Sequence, residues 1–334
     1  MNNIEFEKTL FAMRMEKYRR PALDIVGQGF RPVSGNVADF ATAEHHGRHH
    51  FFYIERRLAE GTPFHPGNEI YFGHASTPDF LQWEVHDPVM LIRPGTWEGA
   101  HVWAPTILRH RDRFVMAYTG VNEHISQDIG LAFSDDLCEW ERWEGNPISP
   151  CKDKAWAFWR ADSISSCRDP HLLEHDGRVW MTYTANTREG ATCIALAGSA
   201  NLVEWEDHGP ILVGPANGYE PRLEGGHPQG SLESNLLVNR GGRWLLTANL
   251  TMRGTSVRNW VFASDRMDCF DLETRREFWK DSGGVEVVKE RGSRALLACV
   301  SGGYIRFGEV DWSQEKPTAS FISSTEQLRV WQEF

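Results

Sequence analysis

Asp39 in VADF, Asp169 in Arg168-Asp169-Pro170 and Glu233 before Ser234-Asn235 each open a run of strand-like, largely apolar residues. One acid at such a place is ordinary, because Asp and Glu favour turns and strand ends. Three carboxyls facing one cavity would be another matter: they raise one another's proton affinity, and fold stability requires none of them. Their chemistry would be acid–base. One carboxyl protonates a leaving oxygen, a second attacks or activates water, and a third holds the reacting group and tunes the acid.

A repeat supplies the elements that would bring them together. DFATAEHHGRHHFFYI starts at Asp39, APTILRHRDRFVMAYT at Ala104, DPHLLEHDGRVWMTYT at Asp169, ESNLLVNRGGRWLLTA at Glu233 and a weaker copy, VEVVKERGSRALLACV, at Val285. The starts lie 65, 65, 64 and 52 residues apart. Each copy reads as a β-hairpin, with tight turns at His46-Gly47, Arg111-Asp112, Asp176-Gly177, Arg240-Gly241 and Glu290-Arg291. A second motif, a polar turn followed by Leu and Trp, recurs around Trp83, Trp140 and Trp205. Short strands in regular units predict an all-β chain, a five-bladed β-propeller over residues 29–334. Partial helical spacing of Ile4, Phe6, Leu10, Phe11, Met13 and Met15 predicts a helical extension over residues 1–28, which either packs on the propeller or joins two subunits in a homo-oligomer. With the first strand of each blade at the axis, Asp39, Ala104, Asp169, Glu233 and Val285 become equivalent positions around one cavity.

Other segments flank that ring. GTWEGAHVWAP, residues 95–105, offers His101 and Trp103 as a pocket wall and Trp97 as core. CKDKAWAFWRAD, residues 151–162, presents Trp156 or Trp159 either as a lid or as packed loop aromatics. EPRLEGGHPQGSLES, residues 220–234, carries Glu220, Arg222, His227 and Glu224, the last a fallback acid. HHGRHH, residues 45–50, falls on a hairpin turn with no carboxylate or Cys at metal-ligand spacing, so solvated turn histidines are expected.

A formal charge of −11 argues against a nucleic-acid partner. The first residues lack the continuous apolar core of a signal peptide and no run is long enough to span a membrane, which predicts a cytoplasmic protein without a membrane partner. Cys138, Cys151, Cys167, Cys193, Cys269 and Cys299 include no CxxC pair and are expected as reduced, mostly buried thiols. No cofactor or metal is called for.

Asp39, Trp103-Ala104-Pro105, Arg168-Asp169-Pro170 and Glu233 together resemble the five-bladed propeller glycosidases of glycoside hydrolase families 43, 32 and 68, the arabinofuranosidase, xylosidase and fructofuranosidase group, over roughly residues 30–312. The resemblance implies that Asp39 is base or nucleophile, Asp169 stabilises the transition state and modulates pKa, and Glu233 is the general acid. Arg168 would fix Asp169 or a sugar hydroxyl, and Trp103, His101 and Trp159 would contact substrate. The implied activity is release of a terminal furanoside or pentoside from a small saccharide. A transferring or phosphorolytic relative and a sugar-binding propeller without chemistry are the alternatives. Calcium in the central channel is possible by analogy only. The chain departs from the group where Phe40 rather than Pro follows Asp39, where Ser234-Asn235 follows Glu233, and where little chain remains after Trp312 for a following β-sandwich.

Overall fold

The computed structural model describes residues 23–25, 29–33, 35–57, 68–216, 231–251 and 258–332. Its alternating segments form five antiparallel sheets whose first strands touch in the cyclic order 1-2-3-4-5-1, which makes a five-bladed β-propeller. Blade 1 contains Gly35–His45, Arg48–Arg57, Phe72–Thr77 and Glu84–Val89. Blade 2 contains His101–His110, Arg113–Val121, Gln127–Ser134 and Glu141–Arg142. Blade 3 contains Cys167–His175, Arg178–Asn186, Ala191–Ser199 and Glu206–Ala216. Blade 4 contains Ser231–Arg240, Arg243–Thr251, Arg258–Ser264 and Arg276–Trp279.

Blade 5 closes the ring. Its strands Gly283–Arg291, Arg294–Ser301 and Tyr304–Asp311 are joined by Gly29–Arg31 from the other end of the chain, through Phe30 opposite Ile305, and Leu23–Ile25 pairs with Gly29–Arg31. The helix expected over residues 1–28 lies, apart from Leu23–Ile25, almost wholly outside the described residues. A short helix that the sequence reading did not anticipate, Thr325–Arg329, starts at a Ser324/Gln327 capping box and sends Leu328 into the core between blades 5 and 1. Among the described residues, no helix is long and apolar enough to cross a membrane.

Both faces of each blade are apolar because each faces a neighbour, so the core is five separate clusters, one per interface. Phe52, Phe72, Met116 and Tyr118 fill the space between blades 1 and 2, and Phe30, Phe51, Tyr53 and Phe307 that between blades 5 and 1. Burying one such Phe contributes about 2–3 kcal/mol. Cys151, Cys167, Cys193 and Cys299 are buried free thiols, whereas Cys138 and Cys269 are exposed ones.

The Trp motif is a turn that aims an indole. Thr77, Ser134 and Ser199 each accept, on the side-chain oxygen, the backbone N–H three residues on, from Phe80, Leu137 and Leu202 at 2.7, 2.9 and 2.9 Å. Those three residues adopt φ of 61°, 66° and 65°. Asp79, Asp136 and Asn201 then accept from the next two N–H groups, so the chain turns sharply toward Trp83, Trp140 or Trp205.

The repeat register needs a correction. Every first strand carries a β-bulge at the same height, in which residues 38–39, 104–105, 169–170, 234–235 and 284–285 each oppose a single residue of the next strand. Glu233 directly precedes its bulge, Asp169 is the first bulged residue and Asp39 the second. The three acids are therefore not equivalent positions, and Ala104, Asp169, Ser234 and Gly284 are. These four share the left-handed region at φ 41°, 53°, 50° and 52°, a strain of roughly 1–3 kcal/mol for each non-glycine residue. The turns of blades 4 and 5 are likewise one or two residues later than expected, at Gly241-Gly242 and Gly292-Ser293.

The histidines of residues 45–50 also differ from expectation. His46 is exposed at the turn, but the strand resumes at Arg48, and alternation buries His49 and His50 on opposite faces of blade 1, at 5% and 6% exposure.

Candidate active site

The bulges open the mouth of the central channel into a small cavity, where Asp39, Asp169 and Glu286 meet Ser234, Asn235 and Gly284. Left-handed backbone at Asp169 and Ser234 re-aims side chains that regular strands would have pointed between blades. Arg168, the residue before the bulge in blade 3, spans two acids: Nη2 donates to Glu233 Oε2 at 3.3 Å, and Nε lies 3.5 Å from Asp169 Oδ2. Ser166 Oγ at 2.7 Å and Gln127 Oε1 at 3.3 Å hold its Nη1. Ser234 ties the remaining pair together, its backbone N–H donating to Asp169 Oδ2 at 3.0 Å and its hydroxyl to Asp39 Oδ2 at 3.0 Å. Asn235 donates to the Asp169 carbonyl at 2.8 Å and accepts from Thr182, so blade 4 locks the blade 3 bulge in place.

Asp39 binds its proton well above the usual carboxylate range, first because it is desolvated, then because Asp169 and Glu233 repel its charge; the Ser234 hydroxyl and Arg56 pull the other way. Asp169 is also raised, mainly by burial, with the Arg168 charge opposing and Glu233 adding to the shift. Glu286 is raised well above its ordinary value by burial and by Asp39. A site built this way holds protons among neighbouring carboxyls at a pH where isolated ones are ionised, as acid–base chemistry on an oxygen leaving group requires. Among the described residues the arrangement offers no recognisable set of metal ligands around the cavity.

The model of the "Glycosyl hydrolases family 32 N-terminal domain" matches residues 31–220, more than half of the chain. The chain belongs to glycosyl hydrolase family 32. Over 183 residues it is 26% identical to the sucrose-6-phosphate hydrolase of Bacillus subtilis (strain 168), an alignment covering 52% of this chain and 34% of that protein. It is 31% identical over 130 residues to a bifunctional fructosyltransferase of Allium cepa, covering 36% of this chain and 20% of that protein. The chain thus matches about a third of the length of one of these curated relatives and a fifth of the other. In fold it is similar to a family 32 β-fructofuranosidase of Bombyx mori, with a TM-score of 0.66 at 16% identity over 96% of this chain and 69% of that one. The sucrose-6-phosphate hydrolase of Lactobacillus gasseri superposes with a TM-score of 0.67 at 14% identity, over 95% and 67% of the two chains. A thermostable family 43 glycoside hydrolase superposes at 0.62 with 13% identity over 88% of this chain and 96% of that one.

In this family 32 chain the structure brings Asp39, Asp169, Glu233 and Arg168 together. His101 and Trp103, expected as a pocket wall, do not line the cavity: His101 is buried, its Nδ1 3.0 Å from the Asn68 carbonyl, and its ring stacks on Trp103 at 5.4 Å. Trp103 lies against Glu69, whose carboxylate accepts from Arg56 Nε at 2.8 Å. Trp159 and Trp156 do not line the cavity: their indole N–H groups donate to the Gln127 carbonyl at 2.8 Å and to Asp207 at 3.0 Å, and both rings pack on the core between blades 2 and 3. Trp97 packs on Tyr118 over Gly120 and Gly130, as core. Glu220, Arg222, Glu224 and His227 lie outside the described residues.

Sequence reasoning missed Ser234, Asn235, Gly284, Glu286 and the Arg56–Glu69 pair. Ser234-Asn235 was visible only as a departure from the family pattern, and the structure turns that departure into a clasp on two acids. Removing the hydroxyl in Ser234→Ala withdraws a donor that favours ionised Asp39, so Asp39 holds its proton to still higher pH. The expected result is an acidic limb of the kcat/KM–pH profile displaced upward, with turnover near neutrality reduced about 10-fold, the scale of one hydrogen bond to a charged group. An unmoved limb would show that Ser234 does not govern Asp39.

Proposed function

We propose that this family 32 chain is a glycosidase that removes a terminal furanoside, of the fructofuranoside class, from a small saccharide. The observation that carries this reading is the carboxyl cluster itself: Asp39 and Asp169, which line one small cavity, are joined through Ser234, and Asp169 is joined to Glu233 through Arg168. The match to the family 32 domain and to a sucrose-6-phosphate hydrolase favours fructofuranosides over the wider furanoside and pentoside class. In the proposed mechanism Glu233 protonates the leaving oxygen, and Arg168 orients it toward that oxygen. Asp39, ionised by loss of its tightly held proton, attacks the anomeric carbon or activates water, and Asp169 holds the sugar hydroxyls. The predicted setting is the cytoplasm.

The test is sugar release from sucrose, sucrose phosphate, short fructans and aryl arabinofuranosides, xylosides and galactosides, with wild type beside Glu233→Gln. Fructose released by wild type alone supports both the class and Glu233 as acid. Release from pentosides only would overturn the fructofuranoside assignment. Saturable sugar binding without turnover would replace the enzyme by a binding propeller, and products elongated by an added acceptor sugar would make it a transferase.

A further inference from the structure

Blade 1 holds a polar cluster that the cavity does not use. His50, His74 and His86, from its second, third and fourth strands, share the face that packs toward blade 2, with Phe52 and His74 cross-strand partners, as are His74 and His86. His50 Nδ1 and His74 Nε2 are 2.9 Å apart, and one ring nitrogen from each histidine lies within 4.8 Å of those of the other two. His74 is 1% exposed and His50 6%. None of the three lines the cavity.

The fold does not ask for imidazoles here. Counted from the hairpin turns, the positions matching His50 in blades 2 to 5 are Val115, Trp180, Leu245 and Leu296, and the residues of the third strands placed as His74 is are Leu131, Leu196, Val261 and Phe307. Four blades place aliphatic or aromatic side chains at both positions, and blade 1 alone places imidazoles, which must be desolvated.

Further polar groups border His86. Ser76 Oγ accepts from Arg48 Nε at 3.0 Å and Nη2 at 2.9 Å and gives its own hydrogen to His86 Nε2 at 2.7 Å, a bond that a metal ligated by that nitrogen would replace. The Arg48 charge is paired with Glu84 at 2.9 Å, and Asp87 adds negative charge near His86.

We propose that His50, His74 and His86 form a binding site for one divalent transition-metal ion of the zinc class, with solvent in the remaining position. Tetrahedral coordination at a metal–nitrogen distance of about 2.0–2.1 Å places ligand nitrogens about 3.4 Å apart, so the rings need shift only by an ångström or so. Three imidazoles select zinc, copper, nickel or cobalt over calcium or magnesium. The bound ion joins the three outer strands of blade 1 and serves stability, independently of the carboxyl site.

The test uses the full chain, stripped by chelation and titrated with Co²⁺ and then Zn²⁺, with His74→Leu and His86→Gln alongside. His74→Leu installs the residue that blades 2 and 3 carry, and His86→Gln provides a second arm if the first fails to fold. Expected are one Co²⁺ per wild-type chain with a visible absorption band that Zn²⁺ abolishes, a melting temperature raised several degrees by Zn²⁺, and binding weakened at least about 100-fold in each folded variant. Equal affinity in wild type and variants, or no saturable binding by wild type, would overturn the site and leave a hydrogen-bonded imidazole row.

Discussion

Asp39→Asn is expected to fold into the same propeller, to melt higher than the parent near neutral pH, and to release sugar at least about 10³-fold more slowly, the scale of losing a reacting carboxylate. Both effects share one cause. Burial and two neighbouring acids raise the proton affinity of Asp39 in the folded state above that in the unfolded chain. The native state therefore holds this proton more tightly, and stability is lost as pH rises from the unfolded pKa through the folded one. Asn carries no charge to desolvate, so the gain in melting temperature is largest above the folded pKa and closes in acid. Its amide oxygen still accepts from the Ser234 hydroxyl, which keeps the geometry. Thermal melts across pH beside turnover measurements check both halves. A variant less stable than the parent at neutral pH would mean that the surroundings favour the ionised form, and turnover near the parental rate would remove Asp39 from the mechanism.

Gly284→Ala should cost nearly as much without touching an acid. Gly284 is the first bulged residue of blade 5, and a Cβ added there would fall inside the contact distance of Asp39 Oδ1. Its φ of 52° adds backbone strain of about 1 kcal/mol for any residue with a side chain. The backbone is fixed by ladder pairing on either side, so the carboxylate is the part that moves. A displacement of about an ångström at a reacting group costs on the order of 10²-fold. The expected signature is a fall in kcat with the fold retained by circular dichroism. An unchanged kcat would show that Asp39 has room to retreat and still react.

The fold was legible because a propeller writes itself five times. Alternation and turn residues located each hairpin, and the recurring polar turn before Leu and Trp located the element whose Ser and Asp/Asn side chains the structure shows holding it. The acids were recognisable from their context before the strands, but their register was not, since a bulge adds one residue without disturbing the apolar alternation on either side. The same blindness hid Ser234 and Gly284, whose importance lies in backbone conformation and in approach between blades. Glu286 was overlooked because the fifth copy is the weakest match and its acid follows the position taken as first. His50 was dismissed as a turn histidine because its partners, His74 and His86, are 24 and 36 residues away and meet it only through cross-strand pairing.

The seam between blades 1 and 5 has a consequence for the order in which function is acquired. Asp39 rests against Gly284, 245 residues along the chain, and the ring is closed by Phe30 pairing with Ile305, 275 residues apart. Contacts this distant in sequence are entropically the slowest to form, whereas each hairpin can form from neighbouring residues. The blades are thus able to acquire secondary structure well before the carboxyl cluster exists. The carboxyl cluster on which the proposed activity rests is therefore expected to assemble late, as a reporter of ring closure.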